Sequence, residues 1–199
     1  MFTEESIYLH KKFLPEIKIQ NTNELKLLYK HLNGIKIDSL IKTYYNQKIK
    51  ESNHVFSSRF ADKEIVSKSN QLNNHTIIKL KNKKINIVLN IYSDENVDLF
   101  IDEIIPTIEY VCNLSPSNTK NIVINYYLLD INKNIENKDY LTVKEVNSGS
   151  CTYTNNSSAE ITLWRKEEVM KVTIHELFHA LRYDTIDDTD RIIHEYQKK

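Results

Sequence analysis

The chain is poor in residues that break or staple a backbone, with 2 glycines, 3 prolines and 2 cysteines among 199 residues. So little glycine and proline excludes collagen-like and low-complexity linker architectures. Two cysteines cannot build a disulfide scaffold, and without a Cys-x-x-Cys spacing they make neither a zinc ribbon nor a dithiol redox motif. Cys112 and Cys151 are therefore expected as reduced thiols in a reducing compartment. Net charge is missing as well. Lys plus Arg and Asp plus Glu number 27 each, so no global field draws the chain to nucleic acid or to an anionic membrane. The run Lys79, Lys81, Lys83, Lys84 reads as a solvated turn. No apolar stretch approaches the roughly 20 residues of a membrane span, and Met1-Phe2-Thr3-Glu4-Glu5 does not read as a signal-peptide start. The expectation is a cytoplasmic protein without nucleic-acid or membrane partners.

Hydrophobic residues make up 40% of the chain, enough to bury one proper core. Residues 1–70 read as a mainly helical N-terminal region. Thr22 caps a pattern Leu25, Leu27, Leu28, Leu32 that ends at Gly34, and Ile37, Leu40, Ile41, Tyr44, Tyr45 and Ile49 suggest a second helix. Polar segments near 51–58 and 67–75 separate this region from a core over 71–199. That core opens with a hairpin, Thr76–Leu80 and Ile85–Tyr92 about Asn82-Lys83. Ser93 or Asp94 then caps a helix with the stripe Val97, Phe100, Ile101, Ile104, Ile105, Ile108, Val111, which Pro106 is expected to kink. Strands follow at 122–129, 141–143, 151–154 and 160–164, with Asn147-Ser148-Gly149-Ser150 as a turn. Trp164, the one tryptophan, reads as a core anchor.

The most informative residues come next. His175-Glu176-Leu177-Phe178-His179 is an H-E-x-x-H run in a stretch free of Gly and Pro, from Glu167 to Tyr183. Histidines four apart lie one above the other on a helix face, so both imidazoles can reach one metal ion while Glu176 stands beside it. Val169, Val172, Leu177, Ala180 and Leu181 supply an apolar face, so the helix is expected to be partly buried.

The segment V-T-I-H-E-L-F-H-A-L resembles the active-site helix of the zincin metallopeptidases. The resemblance covers the last third of the chain. It implies that His175 and His179 bind Zn²⁺ and that Glu176 is the general base. It also implies an α+β, zincin-like fold: N-terminal helices, then a small mixed sheet with a backing helix and the H-E-x-x-H helix. In zincins the strand near the cleft holds substrate in extended form, and residues 150–164 are the candidate for it.

The third ligand sets the subclass. Metzincins place a glycine three residues after the second histidine and a histidine three further on, where Arg182 and Thr185 stand here. Gluzincins take a glutamate from the next helix. If Asp184–Asp188 is a turn and a helix restarts at Thr189, Glu195 returns level with His179, although the spacing is shorter than in the best-known branches and His194 replaces the usual Asn. Glu195 is thus the metal ligand of choice and the chain reads as gluzincin-like, with His194, an aspartate of the turn or a residue outside this chain as alternatives. Asp184, Asp187 and Asp188 suit either the other N–H of a metal-bound imidazole or plain solvated turn positions.

Three protein ligands would leave a fourth position for water, whose proton Glu176 takes as it attacks a peptide carbonyl. Tyr153, Arg182, Tyr183, His194 and Tyr196 are candidate donors to the developing oxyanion. The expected function is zinc-dependent hydrolysis of peptide or protein substrates. The alternative is a catalytically inactive zincin-fold protein acting as a binding module, and a smaller alternative is a metal-free domain in which both histidines belong to the core.

Overall fold

A computed structural model describes residues 41–48, 56–114, 117–132 and 146–183, together with Lys30. The chain divides into two compact units, Met1–Lys36 and Ile37–Lys199. Everything below, Lys30 aside, belongs to the second. The helix expected after Thr22 lies outside the described residues except for Lys30, which is helical, and the strand expected at 141–143 lies outside them altogether.

The second unit is α+β. Six strands, β1 (Ile41–Lys48), β2 (Asn74–Lys81), β3 (Asn86–Ser93), β4 (Asn121–Tyr127), β5 (Gly149–Asn155) and β6 (Ser158–Leu163), form one mixed sheet in the order β1-β2-β3-β4-β6-β5. The β2–β3 hairpin is where the alternation of apolar residues predicts it, with Asn82 at its turn accepting from the backbone N–H of Lys84 and Ile85. Strands β3, β4 and β6 run parallel, and β1 and β5 close the two edges antiparallel to their neighbours.

Of the helix expected over residues 37–49, the described part, Ile41–Lys48, is a strand. Ile41 pairs with Lys81 and Lys48 with Asn74 along the whole of β2. The apolar spacing there suits a helix, but Ile41, Thr43, Tyr44 and Tyr45 are β-branched or aromatic, and the hairpin offers a row of backbone groups that a strand satisfies.

Pleating sends alternate residues to opposite faces. One face presents Ile78, Leu80, Ile87, Leu89, Ile91, Ile122, Ile124, Tyr126, Ile161 and Leu163, all buried. Two helices cover it: α2 (Asp98–Asn113) through Ile101, Ile104, Ile108 and Val111, and α3 (Val169–Ala180) through Val169, Leu177 and Ala180. The other face carries Tyr92, Tyr127 and Trp164, which pack with Phe56, Ile65 and Leu72. A short helix α1 (Lys63–Ser69) supplies Ile65 and is capped by Asp62, which accepts from the Ile65 N–H at 2.8 Å. The polar segments expected as spacers therefore cover the sheet. Trp164 is fully buried, as its anchoring role requires.

Helix α2 differs from expectation at its start. Its cap residue is Val97, without a side-chain bond, because Ser93 ends β3 and accepts from Glu95, while Asp94 holds Asn73. Asn96 instead accepts from the Asp98 N–H at 2.8 Å. Pro106 sits inside the helix on its exposed side, so the Asp102 carbonyl that loses a donor there faces water. Among the described residues no helix is long and apolar enough to cross a membrane.

Candidate metal centre

Helix α3 is short and its far end is completely tied. It stops at Ala180, three residues before the Gly- and Pro-free stretch does, because Arg182 adopts a φ of 60°. The N–H groups of Arg182 and Tyr183 then turn back to the carbonyls of His179 and Phe178, at 2.7 and 2.9 Å, which is the Schellman arrangement. Position 182 is where a metzincin has glycine. Here an arginine takes the left-handed conformation that glycine favours, at a cost of about 1–2 kcal/mol. Thr119 Oγ1 donates to the Ala180 carbonyl at 2.7 Å, Ser117 Oγ donates to that of Leu181 at 2.8 Å, and the Tyr153 hydroxyl donates to that of His179. All four terminal carbonyls, ordinarily orphans of a helix end, are thus paired. Tyr153 also lies under the Arg182 guanidinium, 4.5 Å from its ring centroid. Tyr153 and Arg182 are two of the five candidate oxyanion donors. Their described contacts clamp the helix end that carries His179.

His175 is exposed and His179 half-buried, so the two do not belong to the core. Their Nε2 atoms stand 3.1 Å apart, with ring planes at 84°. An ion at a zinc–imidazole distance of about 2.0–2.1 Å from both nitrogens would subtend about 95–102° across that 3.1 Å gap, close to the roughly 109° of a tetrahedron. The separation of the two donor nitrogens is thus compatible with one shared zinc ion.

Glu176 lies on the buried side of α3 with Thr173, Leu177 and Ala180, and is 7% exposed. Burial pushes its carboxyl above the usual carboxylate range, and the charges of His175 and His179 pull the other way. Glu176 and His179 line one cavity of about 400 Å³ together with Gly149, Ser150, Cys151 and Tyr153 of β5. Cys151 and Cys112 are both free thiols.

Gly149, one of only two glycines, reads from sequence as part of a turn, but it begins β5. It is there for closeness. A Cβ on it would stand 2.8 Å from Val172 Cγ1, 3.2 Å from the Thr162 carbonyl and 3.5 Å from Glu176 Cγ. The missing side chain lets the edge strand lie against the helix beside the carboxylate. The strand's approach is held by the Trp164 N–H to Ser148 carbonyl bond, at 3.1 Å, and by Ser148 Oγ donating to Glu168. Gly149→Ala should cost about 1–3 kcal/mol by overpacking, a fall of about 2–4 °C in Tm per kcal/mol. Because the closest clash is with Val172, the same substitution should cost less in a Val172→Ala background. A double-mutant cycle by thermal unfolding checks this, and equal costs in both backgrounds would refute the contact.

No third His, Cys, Asp or Glu joins the pair among the described residues. Glu195, His194 and Tyr196, as well as Asp184, Asp187 and Asp188, all lie outside those residues. Comparison with family models, with curated proteins and with solved structures finds no match for this chain.

Proposed function

We propose that the chain is a zinc-dependent peptide hydrolase of the zincin kind. The observation that carries the reading is the convergence of two imidazole nitrogens to 3.1 Å beside a buried glutamate on the same helix. A structural zinc site has no use for that carboxylate, whereas hydrolysis needs a base there. The sheet supports the same reading. Its edge strand β5 runs along the cavity that Glu176 and His179 line, and an edge strand directs backbone N–H and C=O groups outward, where an extended peptide can pair with them.

His175 and His179 would hold the ion, with Glu195 as the proposed third ligand. When bound, zinc would polarise the scissile carbonyl and make water acidic enough to attack near neutral pH. Glu176 would take up the proton that the attacking water gives off and return it to the leaving amine. Its partly desolvated carboxylate is a stronger base than one in bulk water, which suits proton uptake. Backbone groups of β5 would fix the peptide so that its carbonyl meets the water instead of diffusing past it.

The purified chain should hold about one zinc per molecule after adventitious ions are removed, and should cleave unstructured peptides. Prolonged chelation should reduce the rate to background, with recovery on adding one equivalent of zinc. A chain that takes up no zinc would end this reading.

A further inference from the structure

We infer that the cavity beside the two histidines is a side-chain subsite for a large apolar residue of an extended peptide, walled by Phe60; this rests on the peptidase reading above. Phe60 comes from the segment before α1, far from the H-E-x-x-H helix in sequence, yet it lines the same cavity as Glu176 and His179. It also packs against the cluster of Phe56, Tyr127 and Trp164, which is on the face of the sheet opposite α3. The cavity therefore wraps around the edge strand, from the helix side to the aromatic side.

That placement has a consequence in register. Gly149, Cys151 and Tyr153 pair with Leu163, Ile161 and Ala159, whose side chains lie in the core beneath α3, while Ser150 and Thr152 take the opposite face. A peptide paired with the edge of β5 must alternate in the same way. One side chain turned toward Phe60 then has neighbours turned toward Glu176 and His179, and selection falls on that single position.

The Phe60 wall is tied to its own segment. The Phe60 N–H donates to Ser58 Oγ at 3.2 Å, and the Arg59 guanidinium lies 4.6 Å from the ring centroid. A preformed aromatic surface loses little entropy on binding. Asn147 and Ser150, which also line the cavity, are neutral, and Glu176 on its wall disfavours an anionic side chain. The Arg59 guanidinium beside the Phe60 ring disfavours a cation there. About 400 Å³ leaves room for an aromatic or a branched aliphatic group.

Capped alanine hexapeptides carrying one Phe, Leu, Lys or Glu at each position in turn test this with the full zinc-loaded chain. Phe and Leu should be preferred over Lys and Glu at one position by about 10- to 100-fold in kcat/KM. Phe60→Ala should reduce that ratio to a few-fold, while Phe60→Leu, the safer variant for folding, keeps most of it. In the hydrolysis-blocked Glu176→Gln chain, the Phe peptide should shift the NMR signals of both the β5 amides and the Phe60 ring. Unchanged selectivity in Phe60→Ala, or β5 amides that respond while Phe60 does not, would overturn the subsite, as would a chain that binds none of the peptides. Selective binding without cleavage by the wild type would instead refute the peptidase reading and leave the subsite standing.

Discussion

Glu176→Gln should keep its zinc and lose its hydrolysis, with kcat falling by about 10²- to 10⁴-fold, the usual worth of a general acid–base group. Glutamine has nearly the same shape and can fill the same space between α3 and Gly149, so the two imidazoles should stay where they are. What disappears is the capacity to take a proton. Zinc analysis alongside a peptide assay separates the two effects: loss of metal would mean that Glu176 is a ligand, and an undiminished rate would mean that it is no base.

The same substitution carries a stability signature in the metal-free protein. Burial raises the folded-state pKa of Glu176 above its ordinary value of 4.5. Between those two values the folded state binds more protons than the unfolded one, so stability falls as pH rises through this window, and above it the buried charge costs its full amount. Metal-free Glu176→Gln should therefore melt higher than metal-free wild type at pH 7–8, and the gap should close as pH falls toward 4. A site that is costly without its ion and relieved by a neutral isostere is what stability traded for function looks like. Melting curves that differ equally at both pH values would contradict the sign.

Much of this architecture is legible because its signals are local. The hairpin shows as alternation at 76–92, the backing helix as a stripe from Val97 to Val111, and the motif helix as five residues whose spacing has a chemical reason. What is not legible depends on contacts distant in sequence. The segment around Tyr44 has apolar spacing for a helix, and only the open edge of β2 makes it a strand. The helix end at Ala180 needs an arginine in a glycine's conformation, and nothing in the letters Leu-Arg-Tyr says so. Tyr153 meets the His179 carbonyl across 26 residues, and Ser117 and Thr119 reach the same helix end from more than 60 residues away. A chain with so few glycines did carry one overlooked signal. A glycine that begins a strand directly before the motif helix marks a close approach as readily as a turn.

Removing either histidine should have the largest effect on the metal. His175→Ala and His179→Ala each leave one imidazole where zinc needs converging donors, so affinity should fall by more than the roughly 10- to 100-fold that loss of a ligand's supporting partner costs. Glu195→Ala should belong with them if it completes the site, whereas Asp187→Ala and Asp188→Ala should stay within that smaller range. Tyr153→Phe is the informative control. It keeps the ring beneath Arg182 and removes the hydroxyl that donates to the His179 carbonyl, loosening the end of α3 without touching a donor nitrogen. Its effect on zinc affinity should therefore be small, and any loss of activity should come with loss of helix-end protection in hydrogen exchange at Arg182 and Tyr183. Competition against a chromogenic zinc chelator ranks these variants and His194→Ala on one scale. If Glu195→Ala binds as wild type and His194→Ala does not, the third ligand is His194 and the gluzincin assignment fails. If His175→Ala and His179→Ala both bind as wild type, the 3.1 Å approach of their nitrogens serves no ion, and the hydrolytic reading falls with it.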